Sequence, residues 1–166
     1  MAEDNDATHL LAEDHREVED LFEKFENASG KERKEKIART ICTELKIHSL
    51  IEEEIFYPAL RGKVSDEDLD EAYVEHDGAK VLINEIEAGG PDEDFYDSKV
   101  KVLKEQIEHH VEEEEKQRGN LFQQARAADI DLDELGRKMK ARKQELKAQA
   151  ESGGLGPARP RTMETQ

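Results

Sequence analysis

The sequence has no tryptophan, a single cysteine and four prolines, and its aromatic residues amount to five phenylalanines and three tyrosines. A lone Cys42 rules out a disulfide within the chain, and beside Ile41 it reads as a small apolar core residue. So few aromatic and β-branched residues, against abundant Glu, Lys, Leu and Ala, weigh against a sheet protein and toward helices. No apolar run approaches the length needed to span a bilayer. Residues 1–15 also lack the basic-then-apolar order of an export signal. The expectation is therefore a soluble cytoplasmic protein with no membrane partner. Positive charge is short as well: 42 acidic residues face 25 basic ones, for a net charge of −17. Nucleic acid, which needs a basic footprint, is not an expected partner.

What the chain does have is pattern. A charged fraction of 40% would suit a disordered polymer if it were unpatterned, but the apolar residues recur at helical spacing through long windows. Asp6 or Thr8 caps a first helix reaching about Ala28, with Leu11, His15, Val18, Phe22 and Phe25 on one stripe. A second helix starts near Lys31 and carries Ile37, Ile41, Leu45, His48, Glu52, Ile55 and Ala59 inward. Pro58 should kink or end it, with Gly62 closing the last turn. Ser65 caps a third helix running to about Ala88, whose face holds Leu69, Ala72, Tyr73, His76, Ala79, Ile83 and Ile86. After the Gly89-Gly90-Pro91 break, a fourth helix places Leu103, Ile107, His110, Val111 and Glu114 on its stripe, with His109 turned outward.

Short connections between four long amphipathic helices predict an all-α, up-down-up-down four-helix bundle with an additional C-terminal helix. The expected organisation is a bundle over residues 1–127, an amphipathic helix over 128–151 built on Leu132, Leu135, Met139 and Leu146, and a disordered tail over 152–166.

The unusual feature of these stripes is polar. Residues four apart on a helix differ by only about 40° around its axis, so His48 and Glu52 leave the same apolar face, as do His110 and Glu114. His15 and His76 add one inward histidine from each remaining helix. An unpaired buried carboxylate must neutralise, find a partner or bind a metal. The six residues thus describe either a metal cage or a metal-free His–Glu network in the core. Imidazole and carboxylate without thiolate suit iron, zinc, manganese or copper. A ferritin-type site would need Glu-x-x-His motifs, and no histidine here has a glutamate three residues before it.

Taken together, Asp14-His15-Arg16-Glu17-Val18, His48-x-x-x-Glu52-Glu53 followed by Phe56-Tyr57-Pro58, Glu75-His76, and His110-Val111-x-x-Glu114-Glu115 resemble the hemerythrin-like (HHE cation-binding) domain over about residues 8–127. The stretch through Ala141-Arg142-Lys143 resembles bacterial members with an extra C-terminal helix. The resemblance implies a cofactor of two non-heme iron ions (Fe2+/Fe3+) with an oxo or hydroxo bridge. By position, His15 and His48 would ligate one iron and His76 and His110 the other, with Glu52 and Glu114 bridging. Oxygen-carrying hemerythrins have a fifth histidine four residues from the one on the third helix. Here those positions are Ala72 and Lys80. Their fourth-helix aspartate at i+5 is replaced here by Glu114 at i+4. One iron would then keep an open position or take a ligand such as Glu53, Glu75 or Tyr57, each of which reads more simply as a solvated or packing side chain; Tyr57 lies about 180° from His48 around the helix.

The expected function is a di-iron protein binding or sensing dioxygen, nitric oxide or iron. The alternatives are a di-iron enzyme decomposing peroxide in the manner of a catalase, or a helical interaction module using its last helix.

Overall fold

Three of the bundle helices open at residues suited to a helix start. The Asp6 carboxylate accepts from the His9 backbone N–H at 2.9 Å and opens α1 (Ala7–Asn27). Gly30, at φ 92°, turns the chain into α2 (Lys31–Ile51). Ser65 Oγ accepts from the Asp68 backbone N–H at 3.1 Å and opens α4 (Asp66–Ala88), after a short α3 (Tyr57–Leu60). Three further helices follow: α5 (Tyr96–Val111), α6 (Leu121–Ala127) and α7 (Leu132–Ser152). The coordinates, a computed structural model, describe residues 6–163, and among these every regular element is helical.

The long helices close a ring. α1 packs on α2, α2 on α4, α4 on α5 and α5 back on α1, while α7 lies across α1 and α2. This is the expected bundle with its additional C-terminal helix. The core is split in two. One apolar cluster, around Leu11, Ile51, Phe56, Leu60, Leu69, Phe122 and Met139, fills one end. The other, around Val18, Phe22, Ile41, Leu45, Ile83, Tyr96 and Leu103, fills the opposite end. Along α1 the break between them falls at His15, and along α2 at His48.

Two departures from the expected pattern matter for function. Pro58 does not end its helix. Glu52–Phe56 instead form a π-helical turn in which the Tyr57 N–H reaches the Glu52 carbonyl, and α2 continues into α3 as one rod. One extra residue in the turn moves the inward stripe along by one. Phe56 and Leu60 are therefore fully buried, while Ile55 and Ala59, expected inside, are only partly covered. A second π turn, Glu112–Lys116, extends α5.

The segment after α7 also differs from the disordered tail expected there. Gly154 and Gly156, both at positive φ, redirect the chain. It then runs back over α2 and α4, held by Lys46 Nζ on the Gly156 carbonyl at 2.9 Å and by a two-way pairing of Asn84 with the Ala158 backbone. Polar composition hides this docking because it uses backbone groups of the tail and few of its side chains. Residues 1–5 and 164–166 of the expected bundle and tail lie outside the described residues.

Cys42 is fully buried, and burial together with the nearby Glu87 carboxylate pushes its thiol up to about 12. Only thiolate is nucleophilic. The folded protein should therefore resist iodoacetamide at pH 8.5, where a free cysteine reacts, and should be alkylated rapidly in guanidinium. Mass spectrometry of the two samples reads the difference.

Candidate metal centre

All six inward residues read from the sequence meet in one layer between the two apolar clusters. His15, His48, His76 and His110 come from α1, α2, α4 and α5, and each is at most 7% exposed; Glu52 and Glu114 are at most 1% exposed. The imidazoles present Nε2 to the centre. His48 Nε2 and His76 Nε2 each lie 3.1 Å from Glu52 Oε1. His15 Nε2 lies 3.3 Å from Glu114 Oε1, and His110 Nε2 lies 3.2 Å from Glu114 Oε2. Two groups of converging ligand atoms result, one of His15, His48 and Glu114 and the other of Glu52, His76 and His110.

The outward nitrogens explain this orientation. Asp14 accepts from His48 Nδ1 at 3.1 Å, Glu53 from His76 at 2.7 Å, Glu75 from His110 at 2.8 Å and Glu115 from His15 at 2.8 Å. With Nδ1 held by its carboxylate, Nε2 is the nitrogen turned to the centre, where a metal can take the place of a proton. Each carboxylate comes from the helix before its histidine in the ring α1, α2, α4, α5, so a closed cycle of carboxylate–imidazole pairs runs around the bundle. Phe122 of α6 stacks on the His15 ring, with centroids 5.9 Å apart and planes 3° from parallel.

Tyr57 completes the layer. It lies five residues after Glu52, and a straight α-helix would point it away. The π turn, bonded from i to i+5, widens the revolution and brings it back toward the Glu52 face. Its hydroxyl donates to Glu114 Oε2 at 2.5 Å and sits 3.3 Å from both His76 Nε2 and His110 Nε2. A phenol has one proton to give, and the carboxylate takes it. His76 Nε2 and His110 Nε2 lie 3.2 Å apart, within hydrogen-bond reach of each other.

The innermost atoms of the layer are short of partners. His15 Nε2, His48 Nε2, both oxygens of Glu52 and Oε1 of Glu114 are buried and make no hydrogen bond, because the close approaches among them are off-axis. Burial pulls the His48 imidazole down, but Glu52 and Asp14 outweigh it and hold it up at about 10. Burial opposes charge on His15, His76 and His110 in the same way, and their carboxylate neighbours again raise them. Glu52 is held well below the usual carboxylate range by the surrounding imidazoles despite its burial. Two inner carboxylates among four imidazoles, with unbonded nitrogen and oxygen atoms turned toward one another, make a cage fitted to cations. Imidazole nitrogens and carboxylate oxygens in this number suit borderline divalent or trivalent metals better than a soft thiophilic ion.

Several functional side chains escaped the reading of the sequence. Glu53, expected to face solvent, is 2% exposed and shared between His76 and Lys80. Glu75 and Tyr57, expected to be solvated or to pack, lie against the cage. A signal was present: Asp14, Glu53, Glu75 and Glu115 each adjoin one of the six inward residues in sequence. His9 and His109 stay outside, at 42% and 66% side-chain exposure, paired with Glu13 and Glu113.

Comparison with known proteins follows the same lines. The family model of the hemerythrin HHE cation binding domain matches residues 6–122. A DNA nickase from Nostoc sp. is 26% identical over 113 residues, which cover 68% of this chain and 32% of the nickase; the chain spans about a third of that relative's length. The crystal structure of a hemerythrin HHE cation binding domain-containing protein from Mycobacterium kansasii aligns with a TM-score of 0.75. It is 24% identical, over 92% of this chain and 96% of that one, and shares the fold.

Replacing an outer carboxylate should loosen the cage without unfolding it. Glu53→Gln is expected to weaken divalent-cation binding by about 10- to 100-fold, read by titration against a competing chelator. Glu17→Gln, on the exposed face of α1, should leave affinity unchanged.

Proposed function

Because the chain belongs to the hemerythrin HHE cation-binding family, we propose that its cage holds two non-heme irons and binds or senses a small ligand such as dioxygen or nitric oxide. His15 and His48 would hold one ion and His76 and His110 the other, with Glu52 and Glu114 between them. The observation that carries this reading is the set of buried, unbonded ligand atoms on His15, His48, Glu52 and Glu114. Orphaned polar atoms in a dry core are destabilising by about 1–3 kcal/mol each, and bound cations would relieve all of them together. Six inner ligands exceed what one four-coordinate ion uses, and they already separate into two groups. When bound, the ions would supply a one-electron couple and Lewis acidity toward a small oxidant or diatomic ligand.

The chain's own groups set the terms of that chemistry. Tyr57 holds a proton against Glu114 and stands on the His76–His110 side, where oxygen carriers of the family have a fifth histidine. Lys80, at one of the two positions open to such a histidine, is turned instead onto Glu53 and Asp77. A protein built this way departs from simple reversible oxygen carriage.

A second reading is supported by a separate observation. A cleft of about 70 Å³ runs from the surface between α4 and α5 to His110 and Glu114, bordered by Asp68, Glu71, Glu75 and Glu113. Burial and the like charges of Glu75 and Glu71 push the Glu113 carboxyl up to about 8. Such a passage admits a molecule the size of hydrogen peroxide, and peroxide decomposition is the alternative function. Nucleic acid is not a proposed partner, given a net charge of −17.

Anaerobic reconstitution followed by metal analysis should return two irons per chain, with the loaded protein absorbing in the near ultraviolet and visible. Fewer than one iron per two chains would defeat the di-iron reading. Steady peroxide turnover by the loaded protein, lost in His110→Ala, would favour the enzyme; full loading without turnover would leave the binding role.

A further inference from the structure

Outside its imidazole, each outer carboxylate has a second oxygen, and what holds that oxygen differs around the ring. Glu115 differs, because Arg16 of α1 itself shares, at 2.6 Å, the Oε2 that already accepts from His15. Glu75 has only His109, at 3.4 Å. Asp14 is paired with Lys143 of α7. Glu53 Oε1 is shared by Lys80 at 2.9 Å and by Arg161 Nε at 2.8 Å. Lys143 and Arg161 both lie beyond residue 122, where the match to the family domain ends.

Neither contact is casual. α7 is seated on α1 and α2 through buried Leu135, Met139 and Leu146, which brings Lys143 over Asp14 at 16% side-chain exposure. The strap after α7 is fixed residue by residue up to Arg161. Lys80 Nζ donates to the Arg159 carbonyl at 2.9 Å. Asp77, the neighbour of His76 and fully buried, accepts from the backbone N–H of Arg161 at 2.9 Å and from both the N–H and the hydroxyl of Thr162 at 2.6 Å. That clamp places the Arg161 guanidinium on Glu53.

A carboxylate that accepts from a ligating histidine makes the imidazole a stronger donor to its metal. A fixed cation on the far oxygen withdraws part of that charge. We propose that the chain beyond the family domain forms part of the metal centre, with Lys143 and Arg161 as positioning residues that damp the donor strength of His48 and His76. This inference rests on the cage holding a redox-active metal. It also divides the centre, because His110, backed by Glu75 without a permanent cation, remains the strongest imidazole donor on the side that carries the solvent cleft.

The full chain is the material for the test, as wild type, Lys143→Gln, Arg161→Gln, the double variant, and the charge-preserving Lys143→Arg and Arg161→Lys. Losing a cation should favour the ferric over the ferrous state, by about tenfold in their relative binding for each site. For one electron that is a fall of about 59 mV in midpoint potential. The charge-preserving variants should stay near wild type, which a merely structural role would not predict for the strap. Each protein is also loaded with cobalt(II), whose visible ligand-field bands report the imidazole donors whatever the native metal is. Unchanged cobalt bands in a folded double variant, or an Arg161→Lys shift as large as that of Arg161→Gln, would overturn the proposal. Shifted cobalt bands in a chain that fails to take up iron would support it and defeat the di-iron reading alone.

Discussion

The structure depends on one electrostatic constraint: carboxylates placed at the centre of a helical bundle must be matched by positive charge held at fixed points. Glu52 and Glu114 are almost wholly buried, and the four imidazoles around them are turned with Nε2 inward by a ring of outer carboxylates. Two apolar clusters, one on each side, exclude solvent from the layer and keep its members from relaxing toward water. In that dry setting hydrogen bonds are strong and unmatched groups are expensive. The same design that makes the cage rigid makes it dependent on cations.

Rigidity of this kind required a local break in helical geometry. A straight α2 can carry His48 and Glu52 inward, but then Ile55 and Ala59 follow on the same stripe and Tyr57 points away. The π turn at Glu52–Phe56 resolves the conflict by inserting one residue, which brings Phe56 and Leu60 into the core and Tyr57 into the cage. Pro58 fits this solution, since a proline contributes no N–H to the widened turn. At Glu112–Lys116 the same device acts on the other half of the site and carries Glu114 within it. π turns of this sort concentrate at functional sites, and here both fall on the helices that supply glutamate.

The helices, their order and the six inward residues could be read in the sequence because each follows from a periodic rule. An apolar stripe at helical spacing fixes a face, and His15, His48, Glu52, His76, His110 and Glu114 fall on it. Glu53 and Tyr57 did not follow, for opposite reasons. Glu53 is an acid one step around from the stripe, indistinguishable by spacing from the exposed Glu54, and only its partners His76 and Lys80 account for its burial. Tyr57 is placed by a backbone irregularity that propensity does not encode. The strap over residues 153–163 was hidden more completely, since its docking depends on Asp77, Asn84 and Lys46 receiving its backbone, and a polar, Gly- and Pro-rich composition normally signals a free end.

The outer ring is held partly from within the bundle and partly from outside it. The carboxylates that orient the histidines all lie within the residues matched by the family domain, each on the helix before its histidine; two of the cations that hold them do not. Arg16 lies beside His15, but Lys143 and Arg161 come from a helix and a strap laid over the bundle from outside. Charge placed there reaches the imidazoles only through a carboxylate and its hydrogen bond, so on the proposal above it would change their donor strength without touching the inner ligand atoms. An appended helix can therefore adjust the electronic character of a buried centre while the four-helix scaffold, its π turns and its apolar ends remain fixed.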